Sequence, residues 1–375
     1  MHNFNEHFPL EQDIQYLNHA AVSPWPKCTA EAVTNFAKEN LTKGASQYLS
    51  WLDVETSLRN RLAQLLNINS GNEIALAKST SEALSIIAYG ITWNQGDEVV
   101  ISDQEFPSNR IVWESLQHQG VKVITANISS EHSVRSIEKC ISPRTKLISI
   151  SSVQYATGKV INLKELSQVC QKHGTLLCVD AIQSLGALPF DQASINADFI
   201  VADGHKWMMS AEGLALMYIK HEHQDKLKLN QFGWRMIKNK GKYDELNWQP
   251  ADDATRFECG SPNMLGIHAL NASIGFILEI GMTTIHQELI KRVNYLIQQL
   301  QTINGMEFIS DIQEENLSGI VCFKVPTSNL EGLYQNLMKQ GVICAYRGGG
   351  IRFSPHFYTP FSTIDTAIIT LKKLI

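Results

Sequence analysis

Two apolar runs in this chain close on residues that could do chemistry. Leu177-Cys178-Val179-Asp180 reads as a strand ending in an acid, and Phe199-Ile200-Val201-Ala202-Asp203-Gly204-His205-Lys206 as a strand leading into a lysine. An isolated acid or lysine at a strand end is ordinarily a solvated terminus. Lys206, however, stands between His205 and Trp207 at the mouth of an apolar sheet. Desolvation and a neighbouring cation there favour a neutral, nucleophilic amine, which can form a Schiff base with an aldehyde.

A pyridoxal phosphate site needs such a lysine and, separately, a carboxylate on the ring nitrogen, because the protonated ring is what absorbs electrons from Cα. Asp180 suits that second task. The cofactor also needs an anion site. Lys78-Ser79-Thr80-Ser81-Glu82 follows one apolar run and opens a helical pattern, so free amides and the hydroxyls of Thr80 and Ser81 could hold a phosphate.

The elements that must position these groups are legible from about residue 73 to 220. Short apolar runs at 74–77, 99–101, 121–124, 146–150, 176–179 and 199–201 alternate with helix-length amphipathic stretches. That alternation predicts a mostly parallel sheet covered by helices, with ligands bound beyond the carboxyl ends of its strands. From Gly260 a long helical pattern leads to strands at 319–325 and 342–346 and a final helix from about Thr363, a smaller α+β unit. We assign residues 22–255 to a large cofactor-binding domain and residues 1–21 with 256–375 to the smaller one.

Composition narrows the function classes. The 375 residues carry a net charge of −5 with no basic stripe, which argues against a nucleic-acid partner. No apolar run approaches the roughly 18 residues of a membrane span, and residues 1–7 do not form a signal peptide, so the expected location is the cytoplasm and no membrane partner is expected. Seven scattered cysteines, none in a CxxC pair, predict free thiols rather than disulfides or a zinc site, and no metal is expected. Lys78-Ser79-Thr80-Ser81 contains no glycine, which sets aside a Gly-rich nucleotide loop.

Taken in order, the motifs are specific. Tyr16-Leu17-Asn18-His19-Ala20-Ala21, Ser79-Thr80-Ser81-Glu82-Ala83, Glu105-Phe106-Pro107-Ser108-Asn109, Val179-Asp180-Ala181-Ile182-Gln183, Asp203-Gly204-His205-Lys206-Trp207, Arg256 to Pro262 and Arg347 to His356 span nearly the whole chain. In this arrangement the sequence resembles the class V aminotransferase family of fold type I pyridoxal phosphate enzymes. That family includes cysteine desulfurases, C–S lyases, transaminases and epimerases.

The resemblance implies a seven-stranded, mostly parallel α/β domain with a smaller α+β domain. It also implies that Lys206 carries the cofactor, Asp180 meets the ring nitrogen and Gln183 the ring hydroxyl. Thr80, Ser81 and His205 would contact the phosphate, and Phe106 would stack on the ring where desulfurases usually carry histidine. Gln154 or Tyr155 would supply a second contact to the ring oxygen. Ser261 would reach the partner's phosphate, implying a homodimer with shared sites. Arg352 is the expected clamp for the carboxylate of a small amino-acid substrate, with Arg347 the second candidate.

Two departures bear on the reaction. Only Gly348-Gly349-Gly350-Ile351 separates the two arginines, leaving no place for the cysteine loop of persulfide-forming desulfurases, and Cys344 falls in an apolar stretch. Asp203 stands where many relatives carry a small hydroxyl residue near the phosphate. The expected activity is therefore a C–S β-lyase without a persulfide-carrying cysteine, placed ahead of a transaminase, an epimerase and a persulfide-handing desulfurase. The rival from another class is an inactive binding protein on the same fold.

Overall fold

The computed structural model describes residues 4–130 and 132–375. The chain opens with a short strand β1 (Gln15–Tyr16) and two helices, α1 (Lys27–Lys43) and α2 (Tyr48–Leu66). It then alternates through β2 (Ile74–Ala77), α3 (Thr80–Gly90), β3 (Glu98–Ser102), α4 (Ser108–Glu114), β4 (Lys122–Ala126), α5 (Ser133–Glu138), β5 (Thr145–Ser151) and α6 (Leu163–His173). The alternation continues with β6 (Leu176–Asp180), α7 (Gln192–Ile195), β7 (Phe199–Asp203), β8 (Ala215–Ile219) and α8 (His221–Gln224).

Strands β2 to β8 form one sheet in the order β2-β8-β7-β6-β5-β3-β4, in which β8 alone runs against its neighbours. Helices cover both faces, so the strands are apolar on both sides. In β6, Leu177 and Val179 enter one core and Cys178 the other; in β7, Ile200 and Ala202 enter the first, Phe199 and Val201 the second. The sequence reading of a seven-stranded, mostly parallel α/β sheet is what the structure has.

The rest of the chain supplies α9 (Met264–Ile280), α10 (Met282–Gln301), β9 (Glu307–Phe308), β10 (Val321–Lys324), α11 (Leu330–Lys339), β11 (Val342–Ile343), β12 (Ala345–Arg347), β13 (Gly350–Phe353) and α12 (Phe361–Leu374). Strands β12-β13-β10-β9 make a second, antiparallel sheet. The N-terminal segment joins this unit, because β1 pairs with β11.

One stretch packs elsewhere than its sequence position suggests. Helix α9 lies against α1 and α2, and Glu258 accepts hydrogen bonds from Arg59 of α2 and from the Leu76 amide of β2. We therefore propose that residues 256–280 go with the large unit and that the division falls near Gly281 rather than at 256. Among the described residues no single helix is long and apolar enough to cross a membrane.

Candidate active site

The carboxyl ends of five strands of the large sheet converge on one cavity of about 320 Å³. Its walls carry Thr80 and Ser81 after β2, Phe106 after β3, Tyr155 after β5, Asp180 and Gln183 from β6, and Asp203, His205 and Lys206 from β7. Ala20 and Ala21 of the N-terminal segment and Arg347 and Arg352 of the small sheet close it from the other side.

Asp180 ends β6 and Lys206 lies three residues beyond the end of the adjacent parallel strand β7, which brings together two residues well separated in the sequence. Asp180 is buried, one carboxylate oxygen accepts the Ile182 amide at 3.1 Å, and burial pushes its pKa up to about 7. Lys206 is also buried; desolvation brings its amine down to about 8 against the opposing pull of Asp180. Its Nζ sits 5.6 Å from the centroid of the Phe106 ring. Both groups thus have their proton equilibria moved toward neutral pH, the condition for proton transfer.

Helix α3 opens onto this cavity at Thr80 and Ser81. Ser79 caps it by accepting the Glu82 amide at 3.2 Å, and Glu82 reaches back past the cap to the Lys78 amide at 2.6 Å. Thr80 and Asp203 bond reciprocally: the Thr80 amide donates to Asp203 Oδ2 at 2.8 Å and the Asp203 amide to Thr80 Oγ1 at 3.1 Å. The Asp203 carboxylate therefore turns onto the helix terminus. Ser81 Oγ lies 2.8 Å from Ser108 Oγ.

Gln183 Nε2 donates to the Ala20 carbonyl at 3.0 Å and its Oε1 accepts Trp207 Nε1 at 2.8 Å, which leaves one amide N–H for a ligand. Between Gln154 and Tyr155, Tyr155 faces the cavity, edge-on to Phe106 with ring centroids 5.1 Å apart. Gln154 is fully buried behind it and donates to Glu105 at 3.0 Å. Ser261 is not on this cavity; it lines a separate one with Cys259, Gly260 and Lys78.

Arg347 and Arg352 occupy the two strands of a hairpin whose turn residues, Gly348 and Gly349, have φ of +61° and +76°. A two-residue turn with both φ positive is the tight hairpin connection that glycine permits. No thiol-bearing loop fits between the arginines. Arg352 is buried and Arg347 exposed; desolvation, and then the like charge of Arg347, bring Arg352 down to about 10. Among the described residues no cysteine lines this cavity, and burial pushes Cys344 up to about 12 and Cys322 to about 11, so neither is a ready nucleophile.

The structure adds Glu105, which sequence reasoning passed over except as part of a motif. Its buried carboxylate accepts Ser102 Oγ, Asn109 Nδ2, the amide and hydroxyl of Ser151, and Gln154. Ser102 and Asn109 stand at helix-like spacings from Glu105, but Ser151 and Gln154 are brought to it only by the β3–β5 pairing.

The sequence model of the aminotransferase class-V family matches residues 15–358. A probable cysteine desulfurase of Methanothermobacter thermautotrophicus is 28% identical, the match covering 98% of this chain and 96% of that protein. The solved structure of the cystine C–S lyase C-DES with its reaction product cysteine persulfide has a TM-score of 0.91 at 22% identity, covering 97% of this chain and 98% of the lyase. A mutant of C-DES with glycine covalently linked to the PLP cofactor gives the same score and identity over 98% of each chain. At such identity the structural likeness carries the fold.

Proposed function

Because the chain belongs to the aminotransferase class-V family, we propose that it is a pyridoxal phosphate-dependent C–S β-lyase acting on a small cysteine-like amino acid. The observation that carries this is one cavity holding a buried amine, a buried carboxylate and a buried arginine but, among the described residues, no thiol. The relatives named as desulfurases and a C–S lyase support the carbon–sulfur bond as the target.

The residues present fit the cofactor. Lys206 Nζ makes no hydrogen bond among the described residues, and His205 Nδ1 and Arg352 Nε are buried without a partner. These are donors prepared for a ligand rather than spent on the fold. When bound, pyridoxal phosphate supplies a cationic ring that takes up the negative charge developing at Cα.

The chain's own residues do the rest. Thr80, Ser81 and His205 bind the phosphate, Asp180 holds a proton at the ring nitrogen, and Gln183 donates its remaining N–H to the ring hydroxyl. Phe106 covers one ring face and keeps water from it. Lys206 would hold the cofactor, and its amine is the base placed to take the substrate's Cα proton; an amine poised near 8 has a sizeable neutral fraction at physiological pH. Arg352 orients the substrate carboxylate, with Arg347 beside it at the entrance.

Ser261, held off its own chain's cavity, is assigned to the phosphate of the second subunit in a homodimer with shared sites. We place the enzyme in the cytoplasm, since its seven cysteines are free thiols.

The test is a panel of cysteine-like and other amino acids scored together for pyruvate, reduced sulfur, keto acid and D-isomer. Pyruvate and sulfur in equal amounts are expected. Transfer of the amino group to an added keto acid without pyruvate would replace the lyase reading with a transaminase. The holoenzyme should be yellow, and borohydride should fix the cofactor covalently to the wild type but not to Lys206→Ala.

A further inference from the structure

Arg347 and Arg352 stand on one face of their hairpin. Arg347 is opposite Gly350, and Arg352 follows Gly350 by two residues, so side-chain alternation puts both arginines on the cavity side, away from the core that takes Ile351 and Phe353. They differ in what holds them. Arg352 is buried and braced by the Tyr155 carbonyl and Asn18. Arg347 is exposed, pairs with no carboxylate among the described residues, and gives one N–H to the carbonyl of its own neighbour, Tyr346, at 2.9 Å. A guanidinium has five such donors, so most of its fork is free.

Two like charges on one wall of a cavity are a cost that one carboxylate does not remove. The acids of the cavity are engaged elsewhere: Asp203 Oδ2 accepts the Thr80 amide at 2.8 Å, and Asp180 accepts the Ile182 amide at 3.1 Å. Nor is the turn beside Arg347 loose. Gly348 lies so close to the loop after β5 that a Cβ on it would come within 3.2 Å of the Ala156 methyl, which fixes the position of the arginine at the mouth.

We propose that Arg347 selects the leaving group: the substrate's sulfur carries a substituent that ends in a carboxylate, which Arg347 binds while Arg352 holds the α-carboxylate. The inference rests on the lyase reading of this site and names its substrate class. In the net reaction the Cβ–S bond breaks with its electron pair passing to sulfur, and one water is consumed. The products are pyruvate, ammonia and a thiol that carries the distal carboxylate away.

S-carboxymethylcysteine and S-carbamoylmethylcysteine are matched in size and differ in charge at the far end. With the holoenzyme, the carboxymethyl compound should show a kcat/KM about fivefold higher, the upper end for an exposed ion pair, with the difference in KM. The preference should shrink between about 0.05 and 0.5 M salt, because Arg347 is open to solvent. Arg347→Lys should keep part of it and Arg347→Ala should erase it. Arg347→Glu should reverse it and favour S-(2-aminoethyl)cysteine over the carboxymethyl compound.

Calorimetry gives a readout without turnover. Adipate, whose carboxylates are as many atoms apart as those of S-carboxymethylcysteine, should bind the holoenzyme more tightly than its monoamide, and Arg347→Ala should bind the two alike. Equal kcat/KM for the matched pair in the wild type would overturn the proposal, and so would an Arg347→Ala variant that loses activity on both in the same proportion. The second result would make Arg347 another clamp on the α-carboxylate, and either leaves the lyase reading standing. A holoenzyme that forms pyruvate from no cysteine-like amino acid overturns both.

Discussion

Arg352 Nη1 donates to the backbone carbonyl of Tyr155 at 2.6 Å, tying the small sheet to the loop after β5 across the mouth of the cavity. The other terminal nitrogen reaches Asn18 Oδ1 at 3.3 Å, and Nε is buried without a partner. A guanidinium fixed on one side with its fork still available is prepared to bind a carboxylate with little loss of entropy.

Arg352→Ala should therefore lower kcat/KM by about 2 to 5 kcal/mol, the range for losing one partner of a buried charge pair. Arg352→Lys should recover little, because a tetrahedral ammonium lacks the planar fork that meets both carboxylate oxygens while a further N–H holds the Tyr155 carbonyl. Steady-state kinetics on the best substrate of the panel decide this, and an unchanged kcat/KM removes Arg352 from the site.

Asp180 gives a pH signature that needs no substrate. In the unfolded chain its carboxyl titrates near the ordinary 3.8 of an aspartate; burial in the folded apoprotein pushes it up to about 7. Between those values the folded state keeps a proton that the unfolded state has released, so Asp180 lowers stability as the pH rises through that window. Asp180→Asn should remove the decline, by up to about 1.4 kcal/mol per pH unit relative to the wild type.

Lys206 acts in a different window. Its folded value of about 8 lies below the ordinary 10.5 of a lysine, so the unfolded state holds the extra proton and the lysine's unfavourable contribution fades as the pH rises from 8 to 10.5. Urea denaturation of the apoproteins at pH 5, 7 and 9 tests both directions. Parallel curves for wild type and Asp180→Asn would contradict the burial argument.

What the sequence made legible follows from local pattern. Asp180 and Lys206 could be found because each closes an apolar run, and runs of that kind order themselves into a parallel sheet whose carboxyl ends meet. Thr80 and Ser81 stood out because a hydroxyl-rich turn between strand and helix is a local feature. The choice between Gln154 and Tyr155 was not legible: adjacent residues diverge in direction, and only the packing of the Phe106 ring selects Tyr155 for the cavity. The direction of the Asp203 carboxylate was hidden for a similar reason, since its partner is the amide of Thr80, 123 residues away. The placement of α9 was hidden too, because its apolar surface fits α1 and α2 as readily as a terminal domain.

Glu105 carries a prediction that follows from its partners. Five donors converge on one buried carboxylate that immediately precedes Phe106. Glu105→Gln sets an amide NH₂ against some of those donors, leaving buried groups unpaired at about 1 to 3 kcal/mol each. A loss of about 2 to 4 kcal/mol in urea denaturation is expected, with weaker cofactor binding because Phe106 and Tyr155 lose their support. Full stability in this variant would mean that the network is dispensable.

Gly186 backs the lysine loop from the opposite side, and its replacement tests how far the position of Lys206 depends on close backbone packing. It has φ +91°, and a Cβ there would run into the carbonyl of Trp207, the residue after Lys206. That carbonyl also accepts His356 Nε2 at 3.2 Å, while His356 Nδ1 accepts the Phe357 amide at 2.8 Å, so it cannot move without breaking a buried hydrogen bond. Gly186→Ala thus adds backbone strain of about 1 to 3 kcal/mol to an overlap of similar cost. The reference is Gly174→Ala, at φ +67° with open space around its Cβ, which should cost only about 1 to 2 kcal/mol. Thermal denaturation should rank Gly186→Ala well below Gly174→Ala, and only Gly186→Ala should lose pyridoxal phosphate affinity. Equal losses of stability with unchanged affinity in both would show that the lysine loop is held by something other than this contact.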